Sequence, residues 1–127
     1  MPRTNRVFIS FAAEDATYRD FLRGQAKNNN TGFDFIDMSL KEPFDEKWKT
    51  QCRSRIKGCD GVIALLSKRT WNAQGARWEM SCAVEERVAI IGVHIHADDK
   101  GAVPPELAGK KVIEWRWDGI KRFLDSL

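Results

Sequence analysis

Apolar residues gather in five short runs: "RVFISF" (6–11), "FDFID" (33–37), "GVIALLS" (61–67), "AIIGVHI" (89–95) and "KVIEW" (111–115). Runs of this length, rich in β-branched and aromatic side chains and bounded by polar or turn-forming residues, predict strands. The third and fourth are nearly continuous in apolar residues, as central strands covered on both faces would be. "KVIEWRW" alternates instead and predicts an edge, with Trp115 and Trp117 on one face of it. Between the runs the period changes. Tyr18, Phe21, Leu22 and Gln25 or Ala26 share a helical face, and the turn-rich "NNNTG" follows as a stop. Phe44, Trp48, Cys52, Ile56 and Cys59 recur at helical spacing and predict a helix from about Asp45 to Lys57, closed by Gly58. "ARWEMSCAVEER" (76–87) predicts a third helix, with Ala76, Met80, Ala83, Val84 and the stem of Arg87 in one stripe. "HADDKGAVPPELAGK" has room for one short helical turn, because its proline pair and glycines oppose a long helix. "DGIKRFLDSL" predicts a closing helix with Asp118 as N-cap.

Strands alternating with helices predict right-handed βαβ units, and so an α/β fold with a parallel sheet covered on both faces. The chain has 127 residues and no Ser/Gly-rich or Pro-rich linker, which predicts a single domain over 1–127. Five strands in such a domain most often take the flavodoxin-like order 2-1-3-4-5, whose crevice opens beyond the carboxyl ends of strands one and three.

Composition narrows the picture further. The apolar runs fall well short of the roughly 18–20 residues of a membrane span, and "MPRTNR" lacks an apolar signal core, so a soluble, cytoplasmic protein without a membrane partner is expected. Cys52, Cys59 and Cys82 form no C-x-x-C pair, which points to reduced thiols rather than a disulfide framework or zinc knuckle. A net charge of +3 leans towards anionic ligands without the clustered basic surface of a nucleic-acid binder.

The predicted crevice is lined by "SFAAED", "DMSLKEP" and "SKRTWNAQGARWE". Glu79 falls on the flank of the third helix's apolar stripe, so it should point into the crevice mouth. Two readings of it stand side by side: a surface charge favoured by the helix dipole near an amino end, or a carboxylate with work to do. Glu14 and Asp15 read more simply as first-turn residues of the first helix than as metal ligands. Strand three ends in "LLSKRT", without the aspartate a phospho-receiver needs. "SFAAED" carries two acids that would repel a flavin phosphate. His94 and His96 share a face in "HIH", and a metal site would need a third ligand; Asp98 and Asp99 are near in sequence but read more simply as polar loop residues, so no metal site is expected. Trp78 is turned almost opposite the Ala76 stripe, and suits an irregular helix start, an aromatic crevice wall or a contact surface.

Several of these stretches resemble the Toll/interleukin-1 receptor (TIR) domain family. "RVFISFAAED" is similar to its first strand and loop, "FDFIDMSLKEPF" to its second strand and following loop, and "CDGVIALLSKRTW" to its third strand. "RWEMSCAVEERVAIIGVHI" resembles the third helix and fourth strand, most closely in the bacterial branch that includes the sensor of Thoeris anti-phage systems. The resemblance covers roughly residues 6–96. It implies cleavage of NAD at the nicotinamide glycosidic bond, with Glu79 as the catalytic carboxylate and NAD as substrate, with no cofactor or metal. A carboxylate beside the ribose would stabilise the oxocarbenium-like charge that develops as nicotinamide leaves. It further implies substrate contacts from Ser10, Phe11, Ser39, Ser67, Trp71, Arg77 and Trp78, self-association of TIR domains, and a separate effector that responds to an ADP-ribose product, linear, cyclic or conjugated. One departure stands out: many catalytic members have an aromatic four residues before the glutamate, where this chain has Gly75, so Trp71 or Trp78 would have to supply the ring. The rival expectation is a non-catalytic assembly or nucleotide-binding module, joined through "SLKEPF" and exposed aromatics such as Trp48 or Trp78.

Overall fold

The computed structural model describes residues 5–29, 32–38, 41–42 and 44–127. Five parallel strands, β1 (Arg6–Ser10), β2 (Asp34–Ile36), β3 (Gly61–Leu66), β4 (Ala89–His94) and β5 (Val112–Glu114), form one sheet in the order β2-β1-β3-β4-β5. Four helices connect or follow them: α1 (Ala16–Asn28), α2 (Glu46–Lys57), α3 (Gln74–Glu85) and α4 (Trp117–Asp125). Short 3-10 turns precede α1 and α3, and a third, Pro105–Leu107, is the single turn that "PPEL" allows. This is the flavodoxin-like architecture the periodicity predicts.

The period of two along each strand splits the core into two layers. Phe8, Val62, Ala64, Leu66 and Ile90 pack with Trp48, Cys52, Ile56, Ala76, Met80 and Ala83 under α2 and α3. Val7, Ile9, Ile63, Leu65, Ile91 and Val93 pack with Leu22, Ile120 and Leu124 under α1 and α4. Every residue of β3 is buried, as a strand covered on both faces must be, whereas the edge strands β2 and β5 are only partly covered. All three cysteines are free and buried, and burial pushes the thiols of Cys59 and Cys82 up to about 11. No helix among the described residues is long and apolar enough to cross a membrane.

Several sequence expectations are corrected. Phe44 is 80% exposed, because the Asp45 carboxylate caps α2 by accepting from the Trp48 N–H and leaves Phe44 outside the helix. Trp48 is buried rather than displayed, since it shares the stripe of Cys52 and Ile56. Phe21 is 61% exposed and makes an edge contact with Tyr18 rather than lying in the core. Arg87 takes no place on the α3 stripe: it adopts the left-handed conformation (φ 58°), and the Val88 and Arg87 amides bond back to the Ala83 and Val84 carbonyls in a Schellman ending. Trp117 begins α4 instead of ending the edge strand, so Asp118 lies inside the first turn and caps nothing. His94 ends β4, while His96 lies beyond it and turns its ring against Tyr18.

Candidate functional site

Strand parity selects the first residue of the site. Ser10 follows Phe8 by two, so it faces α3, and its Oγ lies 2.9 Å from Glu79 Oε1 and 3.1 Å from the Ala76 carbonyl oxygen. Glu79 is completely buried. It is the sixth residue of α3, beyond the first turn in which the helix dipole favours an acid, so the surface-charge reading is overturned. It does not open directly onto the crevice mouth either. Lys41 lies over it, with Nζ 2.7 Å from Oε2 and 3.0 Å from Oε1, and the lysine side chain is itself only 8% exposed.

Phe11 completes this cluster. Its buried ring has the Lys41 ammonium 4.0 Å from its centroid and the Arg19 guanidinium 5.0 Å away. An acid and an aromatic face therefore converge on one ammonium, while the Ser10 hydroxyl meets the acid from its other side. Burial drives the Glu79 carboxyl up to about 7, against the opposing pull of Lys41 and the Ser10 hydroxyl, with the Asp37 charge adding to the rise. The Ser10 hydroxyl suits either protonation state: it donates to the ionised acid, or it accepts from the neutral acid while donating to the Ala76 carbonyl.

Lys41 lines a cleft of about 710 Å³ whose walls include Ala13, Glu14, Asp45, Gln74 and Gly75. Gly75 is what lets Lys41 lie there, since a Cβ at this position would stand 2.8 Å from the Lys41 Cβ. Two further carboxylates brace the surroundings. Asp37, just after β2, accepts from Arg19 at 3.2 Å and Arg23 at 2.8 Å, and Arg55 donates to its carbonyl at 2.8 Å. Asp15, fully buried, accepts from Ser67 Oγ at 2.6 Å and Arg69 at 3.2 Å, tying the loop after β1 to the loop after β3.

The structure thus brings Ser10, Phe11 and Glu79 together and sets the other sequence candidates apart. Ser67 is spent on Asp15. Arg77 forks onto both carboxylate oxygens of Glu106 and donates to the Trp71 carbonyl, with Trp71 stacked 5.1 Å from its guanidinium. Trp78 packs edge-on against Trp48 at 5.5 Å, between α2 and α3, so neither tryptophan replaces a ring at Gly75 beside Glu79. Ser39 lies outside the described residues. Lys41 and Asp15 are the residues that sequence reasoning missed as site and brace. Pattern gives no warning of a contact between residues 38 apart, although Gly75 is one of the glycines at which a close approach requires the missing side chain.

The family model for "Thoeris protein ThsB, TIR-like domain" matches residues 8–100, which include Ser10, Lys41 and Glu79. The chain belongs to this TIR-like family. Solved structures agree with the TIR-like fold. The TIR domain of the Toll-related receptor TRR-2 from Hydra magnipapillata superposes with a TM-score of 0.67 at 15% identity, covering 94% of this chain and 92% of that one. A prokaryotic SEFIR domain gives 0.58 at 13% identity, covering 97% and 89%. The SEFIR domain of interleukin-17 receptor B gives 0.61 at 12% identity, covering 98% and 96%. No curated protein matches the chain. At these identities the structural likenesses speak for the TIR-like fold alone.

Proposed function

We propose that this TIR-like domain cleaves NAD between nicotinamide and ribose, with Glu79 as the carboxylate that faces the ribose. The observation that carries this reading is a fully buried glutamate, its carboxyl pushed up to about 7, sharing a cluster with the Phe11 ring and the Ser10 hydroxyl. A carboxylate in a dry, low-dielectric site stabilises the positive charge that develops on the ribose far better than one in water. Nicotinamide leaves as a neutral ring from a cationic one, so no second acid is needed to protonate it. Phe11 supplies a face for the pyridinium, and Ser10 orients the carboxylate. In a Thoeris-type setting the ADP-ribose product, linear, cyclic or conjugated, would pass to a separate effector.

The test is nicotinamide release from NAD by the purified protein beside Glu79→Gln. Loss of an interaction made with transition-state charge lowers the rate by about 10²–10³. Equal release by both proteins removes Glu79 from the reaction.

A second reading has its own support. Phe44, 80% exposed, and Trp71, 45% exposed, stand near the cleft as aromatic anchors for a second copy, as an assembly module would require. Phe44→Ser that abolishes assembly, in a protein that never releases nicotinamide, would favour this scaffold reading.

A further inference from the structure

Two features that would receive a flat cationic ring, an anion and an aromatic face, are both engaged by one side chain of the protein itself, which also lines the cleft. Lys41 places its ammonium between the Glu79 carboxylate, 2.7 Å away, and the Phe11 ring, 4.0 Å from its centroid, with only 8% of the side chain exposed. Its stem runs over Gly75, where any larger residue would push it away. The position at which the sequence departs from the aromatic pattern is therefore the position that accommodates the lysine. The missing ring and the ion pair are two sides of one arrangement.

We infer that Lys41 is a built-in occupant of the cation subsite, its ammonium standing where a pyridinium cation would bind, so that the folded chain holds this subsite closed until Lys41 is displaced. This deepens the reading of Glu79 as the acid of an NAD-cleaving site and rests on it for the identity of the natural cation. Two cations cannot share one carboxylate and one ring face. Pyridinium binding therefore competes directly with the Lys41 ion pair, and apparent affinity falls by the fraction of molecules in which the subsite is free.

The experiment uses 1-methylnicotinamide, a pyridinium without a glycosidic bond to break, titrated calorimetrically into wild type, Lys41→Gln, Gly75→Ala and the double variant Lys41→Gln/Glu79→Gln. Lys41→Gln removes the competing charge. Gly75→Ala keeps every charge and favours the helix, yet its Cβ must shift Lys41, so it guards against a misfolded first variant. Both single variants are expected to bind the probe at least about tenfold more tightly than wild type, and the double variant to lose that gain. With NAD, the same two variants should show a lowered KM.

Unchanged or weaker probe binding in both single variants overturns the inference, weaker binding because it would make Lys41 a ligand-holding residue. A gain that survives removal of the Glu79 charge also overturns it, because the cation would then lie elsewhere. Tighter probe binding with no nicotinamide release from any variant keeps Lys41 as the occupant and removes the NAD-cleaving reading. Glu79-dependent release that neither substitution at 41 nor at 75 increases does the reverse.

Discussion

Glu79 and Asp37 are both buried carboxylates beside the carboxyl ends of the first two strands, but their partners differ in kind. Asp37 is gripped by two guanidiniums from α1, while Arg55 of α2 holds its carbonyl, so its charge is bound to helices that the core already fixes. Glu79 is met by one ammonium, from residue 41 outside any helix or strand, and by one hydroxyl. Arginine forks fix direction and hold a carboxylate in place, whereas an ammonium on a four-carbon stem is a point charge that can leave. The first arrangement suits a brace. The second suits an acid that must later face something else, and burial without an arginine fork is why its carboxyl stands near 7.

The largest effect separating the two belongs to the brace. Asp37→Ala leaves Arg19, whose side chain is only 16% exposed, facing the half-exposed Arg23 without their shared anion. Removing one partner of a buried ion pair costs roughly 3–5 kcal/mol, but Arg19 keeps Asp20, and Arg23 keeps the Phe35 carbonyl and can turn to water, so a loss of about 2–3 kcal/mol is expected in urea unfolding. A loss below about 0.5 kcal/mol would make Asp37 dispensable and erase the contrast.

Glu79 should make the stability of the fold depend on pH. Its folded value, about 7, lies above the ordinary 4.5, so the folded chain holds a proton that the unfolded chain has lost between those two values. Stability is thus favoured below about pH 4.5, declines as pH rises through the folded value, and carries the full cost of the buried charge above it. That cost is at most about 3.5 kcal/mol from the shift at ~1.4 kcal/mol per unit. Glu79→Gln does not titrate, so wild type should lose roughly 2 kcal/mol more than this variant between pH 5 and pH 8. Parallel pH profiles of unfolding free energy would show that Lys41 fully compensates the charge.

The fold was legible because its information is periodic. Nearly continuous apolar runs marked β3 and β4, and the Trp48-Cys52-Ile56 spacing marked α2, since a side chain's face follows from its place in a repeat. Glu79 was legible in part, because helical phase put it on the flank of the α3 stripe; Ser10 entered only through the family resemblance, and strand parity explains why the two meet. Errors collected where a residue leaves the repeat. Phe44 continues the α2 spacing but sits one residue before the cap, and Arg87 continues the α3 stripe but turns left-handed. Lys41 was invisible because nothing local distinguishes it from any loop lysine, and its role is set by a glycine 34 positions away in another element. Arg77 looked available for an anionic substrate until Glu106, distant in sequence, was seen to occupy its fork.

Ser10 offers the finest test of the contrast, because its hydroxyl can reverse direction with the charge of Glu79, as the arginine donors to Asp37 cannot. With Glu79 ionised, Ser10 Oγ–H points at Oε1. With Glu79 neutral, the acid donates to Ser10 Oγ, and the serine hydrogen turns to the Ala76 carbonyl. Ser10→Ala removes the partner in both states, which should cost about 1 kcal/mol of stability at the acid end of the pH range, where Glu79 is neutral. The ionised form loses more than the neutral one, since a hydrogen bond to a charge is worth about twice a neutral one. The Glu79 titration, followed by carboxyl-region NMR, should therefore move upward from about 7, because the hydroxyl is one of the groups pulling it down. A midpoint that stays put or falls would mean that the serine serves only the Ala76 carbonyl, leaving Lys41 as the acid's partner among the described residues.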